Sequence, residues 1–175
     1  MRIRKRLVAC FAALLAGIGF ATPTTAAAAS IPVTCGSQSG GGDLNQSTQS
    51  PVTAVRVGRH SEEGGFDRFV IEFAGAQIPH WEAIPKSGAT FYKDASGAPV
   101  TLEGTAGIKL VVRPIVMGSY KAANHFDTEF PQLAEAFEWG DNEAVFTWGL
   151  GLEKQSCKRI FMLSGPTRLV VDVPY

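Results

Sequence analysis

The stretch that decides the fold is "TRLVVDV", residues 167–173, near the end of a chain of 175 residues. A closely similar stretch, "DRFVIEF", occupies residues 67–73. Successive side chains of a β-strand point to opposite faces, so each stretch has an apolar face and a second face with an arginine at one end and an acid at the other. We expect the apolar residues at alternate positions to be buried in one core: Phe69, Ile71, Phe73, Leu169, Val171 and Val173.

The charged faces indicate how the two strands would pair if they were neighbours. In antiparallel register Arg68 lies opposite Asp172. Glu72 then lies opposite Arg168, whereas parallel register would oppose like charges. Exposed cross-strand pairs contribute only about 0.2 to 1 kcal/mol each, so these charges would select the register and add little stability. The alternative is that the strands are not neighbours and that each charge marks a solvated face.

Short runs rich in Val, Ile, Phe and Thr, separated by Gly, Pro, Asn and Asp, continue through the chain and are typical of strands. The pattern predicts an all-β fold, an antiparallel β-sandwich with at most one short helix. The segment 130–139 has apolar residues at helical spacing and remains open between that helix and an edge strand leading into a turn at 140–143. The runs are residues 52–58, 66–73, 80–85, 108–116, 143–152, 159–164 and 167–173.

The first thirty residues have the pattern of a secretory signal. Four basic residues precede an apolar stretch at 7–20, and small residues follow at 26–29. Because a membrane-spanning helix needs about 20 apolar residues, we predict a cleaved signal peptide at 1–28, with a retained anchor as the alternative. Residues 29–50 are rich in Gly, Ser and Gln and predict a flexible linker, which leaves 51–175 as the folded domain.

Export changes the charge balance and the cysteine count. Removal of the signal takes four of the 16 basic residues and none of the 16 acids, which leaves 12 basic residues against 16 acids. A net negative chain argues against nucleic acid, and against a membrane after signal cleavage, as partners. Cys10 leaves with the signal, so Cys35 and Cys157 are predicted to form a disulfide in a compartment where disulfides persist.

Motifs for catalysis or metal binding are absent from the sequence. The three histidines, His60, His80 and His125, are far apart, and neither an H-E-x-x-H nor a C-x-x-C pattern occurs. The acids near His60, such as Asp67, fit a polar loop between two strands better than an acid–base pair. We therefore predict no enzyme, no metal and no cofactor. The glycines of "WGLGL", residues 148–152, predict a bulge or close packing in a strand.

Four motifs carry a resemblance to a known family. In order they are "VRVGRH" at 55–60, "FDRFVIEF" at 66–73, "WGLGL" at 148–152 and "FMLSGPTRLVVDV" at 161–173. Together they resemble the AMIN-like domain of secreted actinobacterial proteins, and the last is similar to the closing hairpin of the broader AMIN domain of murein amidases and secretins. The resemblance implies a β-sandwich in the cell envelope, directed to peptidoglycan or its assembly sites. The chain departs from AMIN proteins in having no attached amidase and a long middle, residues 75–143.

The expected function is accordingly that of a non-catalytic, secreted, cell-wall-associated module whose partner is peptidoglycan or another wall glycan. Aromatic rings stack on sugars, and of Trp81, Trp139, Trp148 and Tyr92 we favour the first and last because they lie beside Gly and Pro turns. Arginines bind muramyl carboxylates through paired donors. The predicted ligand-binding residues are Arg56, His60, Arg68, Trp81, Tyr92 and Arg168.

Two other functions remain open. A protein-interaction module would capture an envelope protein by adding a strand to an exposed sheet edge. An unrecognised hydrolase would need a pocket that groups His60 with two acids.

Overall fold

The computed structural model describes residues 31–46, 48–62, 64–116, 120, 123–140 and 144–175. The predicted signal peptide at 1–28, and residues 141–143 of the predicted turn, lie outside the described residues. The described part of the chain forms thirteen strands and no α-helix. They are β1 (Gln38–Gly41), β2 (Ser50–His60), β3 (Phe66–Phe73), β4 (His80–Lys86), β5 (Thr90–Tyr92), β6 (Pro99–Thr101), β7 (Ala106–Arg113), β8 (Ile115–Val116), β9 (His125–Asp127), β10 (Leu133–Gly140), β11 (Phe146–Leu152), β12 (Arg159–Leu163) and β13 (Thr167–Pro174).

Two sheets pack face to face, which confirms the predicted β-sandwich. The six-stranded sheet has the order β1-β4-β7-β11-β10-β9, and the five-stranded sheet has the order β12-β13-β3-β2-β8. The pairings are antiparallel except for that of β2 with β8, which is parallel. One core cluster draws on both sheets, and all six apolar residues predicted for the core are at most 1% exposed.

The predicted pairing of the two similar strands is also confirmed. β3 and β13 are antiparallel neighbours, with Arg68 opposite Asp172, and with Glu72 opposite Arg168. Arg68 binds both carboxylate oxygens of Asp172, at 2.6 Å from Nε and 2.8 Å from Nη2. The second ion pair differs from the expectation, because the Glu72 carboxylate binds Arg56 of β2 instead of Arg168.

The expectation that this outer face is simply solvated is wrong at its centre. Asp172 is 3% exposed and Val170 is 1% exposed. The Arg68 guanidinium lies 5.0 Å from the ring centroid of Phe66 and 5.6 Å from that of Phe161. These rings and the guanidinium cover the Asp172 carboxylate, so the ion pair is partly buried and not the weak surface pair that the sequence predicted.

The prediction of a flexible linker needs correction within residues 31–50. β1 lies in this segment and pairs with β4 at the edge of the six-stranded sheet. Its order comes from backbone pairing and from Gly40, which lies so close to the Trp81 indole that an added Cβ would be 2.8 Å from the ring. Neither contact can be predicted from the amino-acid composition of the segment. The predicted disulfide between Cys35 and Cys157 is confirmed, and it joins the approach to β1 to the residues before β12.

The segment left open between helix and strand is a strand, β10, lying between β9 and β11. A register shift between Leu133 and Glu135 interrupts its alternation, so the consecutive residues Leu133 and Ala134 are both buried. This bulge gives the apolar residues a spacing that resembles a helical one.

A third element, the β5–β6 hairpin, packs on the outer face of the six-stranded sheet. Its side chains Phe91 and Leu102 form a second small cluster with Phe137 and Trp139. Glycines on the outer face of β7 and β11 make room for it. An added Cβ would lie 2.6 Å from the Phe91 ring at Gly107 and 2.5 Å from the Trp139 ring at Gly149. The glycines of "WGLGL" therefore serve close packing.

Substitution of Gly151 tests this packing. An added Cβ would lie 2.2 Å from the backbone oxygen of Glu103, in a segment held to β10 by a 2.7 Å bond from the Glu103 N–H to Glu135. We expect Gly151→Ala to lower the free energy of unfolding by about 1 to 3 kcal/mol, measured by chemical denaturation. Gly88→Ala is the control because an added Cβ there meets no atom within 4 Å. Equal unfolding midpoints for the two variants would contradict the prediction.

Candidate functional site

A groove of about 1100 Å³ opens on the outer face of the six-stranded sheet. The hairpin covers the end of the sheet where β7 and β11 present glycines. At the other end β4 and β7 present longer side chains toward the groove, and together with the buried Thr147 of β11 they form its floor. The floor consists of Glu82, Ile84, Lys109, Val111, Arg113 and Thr147. The walls are residues 93–96 of the hairpin turn on one side and Trp139, Gly140 and Val145 on the other.

Ion pairs shape both ends of the groove. Lys109 Nζ lies 2.5 Å from Asp94 Oδ1 and so ties the hairpin turn to the floor. Arg113 Nη2 donates to Glu82 Oε1 at 3.2 Å, and His80 Nε2 lies 3.6 Å from the same oxygen. With Lys93, the groove holds three cationic groups against two carboxylates. Its electrostatics therefore favour a polar ligand that carries some negative charge.

Trp139 supplies the large aromatic surface of the groove. Its ring packs on Phe91 with centroids 5.3 Å apart, in the space that Gly149 leaves open. The indole Nε1 of Trp139 and the Nε of Arg113 are both buried and have no hydrogen-bond partner within the described residues. An aromatic wall beside fixed polar groups is the combination that holds a sugar ring and its hydroxyl groups.

The structure separates the residues predicted to bind ligand. Arg56, His60, Arg68 and Arg168 lie on the five-stranded sheet, away from the groove. Tyr92 is 59% exposed on β5, next to Lys93 of the groove wall. Trp81 was expected to present its ring to a ligand, and here the expectation is corrected. Its side chain faces the core opposite Val112 and is 6% exposed.

Trp139 was one of four candidate aromatic residues in the sequence and was not among the two that we favoured. Trp139 borders the groove because β10 is a strand and because Gly149 lies beneath the ring. The helical spacing of 130–139 concealed the strand. The glycines of "WGLGL" were the one available signal, since glycines on a strand mark places where another group approaches closely.

His60 and Asp67 lie on opposite faces of the five-stranded sheet. His60 stacks on Phe66 with centroids 4.7 Å apart on the outer face. Asp67 is 0% exposed in the core, where its Oδ2 accepts hydrogen bonds from the backbone N–H groups of Gln132 and Leu133. These two residues therefore do not form an acid–base pair. Within the described ranges, no three His, Cys, Asp or Glu side chains are grouped closely enough to hold a metal ion.

Two titratable groups outside the groove have shifted pKa values. Burial, together with the nearby Glu138 carboxylate, raises the pKa of Tyr120 to about 12, and its hydroxyl donates to the Ala123 carbonyl at 2.9 Å. Burial lowers the pKa of Lys158, whose Nζ donates to the Gly36 carbonyl at 2.6 Å. Both side chains fasten backbone segments, so their shifts have a structural origin.

Two packed sheets with an open groove on one of them define a β-sandwich module. The chain belongs to the AMIN-like domain family, whose model matches residues 50–175. AMIN-like domains are extracytoplasmic modules of the cell envelope, and this domain is in general terms associated with the cell wall. No curated protein and no solved structure matches the chain. The described residues contain no helix long and apolar enough to cross a membrane.

Proposed function

We propose that this domain is a non-catalytic, exported cell-wall module that binds peptidoglycan glycan in the groove beside Trp139. The observation that carries the proposal is the groove itself, in which an indole ring adjoins three cationic groups and two carboxylates. Its volume of about 1100 Å³ suits a short oligosaccharide, since pockets for small ligands are commonly about 300 to 1,000 Å³.

Each part of the groove matches a part of such a ligand. The Trp139 ring offers an apolar surface to one face of a sugar. Glu82 offers acceptor oxygens for hydroxyl and amide groups. Arg113 and Lys93 offer donors to the carboxylates of muramyl groups and of stem peptides.

The groove is preferred over the site of Arg56 and Arg68 on the five-stranded sheet because these two arginines already have carboxylate partners. The fork of Arg68 is occupied by the Asp172 carboxylate, and Arg56 binds Glu72. A ligand carboxylate would have to displace these internal partners. In the groove Arg113 also binds a carboxylate, that of Glu82, but Lys93 is in no ion pair within the described residues and the Trp139 indole lines the same groove.

Removal of the indole tests the proposal. We expect Trp139→Ala to weaken binding to purified, insoluble peptidoglycan about tenfold, because the loss of a stacked ring costs about 1 kcal/mol or more. The measurement is a pull-down over a range of protein concentrations. Leu163→Ala is the control, since it removes exposed apolar surface from the other sheet. We expect the control to bind as the wild type does.

A second variant separates binding from folding, because Trp139 also packs on Phe91. Arg113→Gln keeps the ring and removes a charge from the floor. We expect it to weaken binding while its unfolding midpoint stays close to that of the wild type. Wild-type affinity in both variants would rule the groove out as the glycan site.

A further inference from the structure

The fold gathers arginines on one surface of a chain that is otherwise acidic. Beyond residue 30 the sequence has six arginines and a net excess of acids. Four of the six project from the outer face of the five-stranded sheet: Arg56 on β2, Arg68 on β3, Arg159 on β12 and Arg168 on β13. We call this surface the arginine face. It lies on the side of the sandwich opposite the groove.

The acids of these strands do not balance that charge. Within the described residues, Glu72 and Asp172 are the carboxylates that project from the arginine face, and they bind Arg56 and Arg68. Arg159 and Arg168 have no described carboxylate partner. Arg168 Nε donates only to the Pro166 carbonyl, at 3.3 Å, so most of its donors remain open. The arginine face thus carries two cations in excess.

The Arg159 guanidinium packs against an aromatic ring, and Arg168 projects from a central strand. The Arg159 guanidinium lies 5.6 Å from the ring centroid of Phe66, which also contacts Arg68 and is stacked against His60. Arg168 projects from β13, a central strand between β12 and β3. Rigid strands and stacked rings reduce the side-chain entropy that binding would otherwise cost.

The spacing of the two free arginines restricts the partner. Arg159 lies opposite Asp172 on the neighbouring strand, and Arg168 lies four residues before Asp172 on the same strand as that acid. At about 3.3 Å per residue, the two arginine positions are about 13 Å apart along the strand direction. This separation favours two anionic groups over a single small anion. A chain with repeated negative charges can provide both groups.

We propose that the arginine face binds a linear polyanion of the cell wall whose repeating units carry phosphate groups. Guanidinium forks match phosphate oxygens in pairs, and charge complementarity requires an anionic partner. A second copy of this chain fits less well, because a two-fold contact through the arginine face would bring its arginines together. The site lies on another sheet from the groove and does not depend on the proposed glycan binding.

The test uses purified protein and long-chain inorganic polyphosphate as the probe, with affinity measured at several salt concentrations. We expect Arg159→Gln/Arg168→Gln to bind about tenfold more weakly and to lower the slope of log affinity against log salt by about 1 to 2. Lys86→Gln/Lys154→Gln is the matched control. It removes the same charge from outside the arginine face, and we expect it to bind as the wild type does.

Two further variants and a second polymer complete the test. Arg159→Lys/Arg168→Lys keeps the charge and loses the paired donors, so we expect intermediate affinity and an unchanged salt slope. Trp139→Ala should leave polyphosphate binding unchanged, which separates this site from the groove. Three results would each overturn the proposal. The first is equal weakening in Arg159→Gln/Arg168→Gln and in the control Lys86→Gln/Lys154→Gln. The others are no wild-type binding to polyphosphate at physiological salt, and equally strong wild-type binding to the carboxylate polymer polygalacturonate.

Discussion

Replacement of both cysteines, Cys35→Ser with Cys157→Ser, is expected to lower the free energy of unfolding by about 4 to 5 kcal/mol. The disulfide joins residues 122 apart in sequence, so its loss gives the unfolded chain a large gain in conformational entropy. It also sits where the two sheets meet. Thr34 and Lys158 beside it exchange backbone hydrogen bonds at 2.8 and 2.9 Å, which ties the approach to β1 to the edge of the five-stranded sheet.

Chemical denaturation with and without reductant measures this effect. Reductant should shift the unfolding midpoint of the wild type toward that of the double-serine variant and should leave the variant unchanged. Hydrogen exchange adds a local readout, because the amides of β1 should lose protection first once the tether is gone. A wild-type midpoint that does not respond to reductant after complete reduction would show that the tether contributes little.

Asp67→Ala is expected to lower the free energy of unfolding by about 3 to 5 kcal/mol, because hydrogen bonds to a buried charged group are strong and their loss leaves two donors unpaired. The carboxylate belongs to β3 of one sheet and accepts from Gln132 N–H at 2.7 Å and Leu133 N–H at 2.8 Å, where β10 of the other sheet begins. It therefore joins the two sheets by a polar contact inside the apolar core.

Asp67→Asn is the matched comparison, since it keeps the shape and one acceptor oxygen and removes the charge. We expect its loss of stability, measured by chemical denaturation, to lie between those of the wild type and the alanine variant. If Asp67→Ala unfolded at the wild-type midpoint, the two hydrogen bonds would not contribute to the joining of the sheets.

The position of Asp67 shows where reasoning from a pattern alone stops. Its alternation with Phe69 and Ile71 places it on the core side of the strand. The glycines and charged residues that precede it nevertheless predict a polar loop. What stabilises it inside is a pair of N–H groups sixty-five and sixty-six residues away in the chain. A contact between residues so distant in sequence leaves no local signal.

The sequence by itself determined the strands with strict alternation and the register that β3 and β13 would adopt as neighbours, while the structure showed that they are neighbours. A period of two divides these residues into an apolar and a charged face, and opposite charges at the two ends favour one antiparallel register. The disulfide followed in the same way, because the exported chain was predicted to hold only two cysteines. Each of these features depends on residue type and spacing, which the sequence displays directly.

Only the tertiary structure decided where the surfaces for ligands lie. The groove exists because the β5–β6 hairpin packs over Gly107, Gly149 and Gly151 and leaves the other end of the six-stranded sheet uncovered. The arginine face exists because β2, β3, β12 and β13 are neighbours, so that their outward residues meet on one side. The net charge of the whole chain does not indicate that its arginines are concentrated on one face. Both surfaces arise from strands far apart in sequence, whose meeting depends on how the whole core packs.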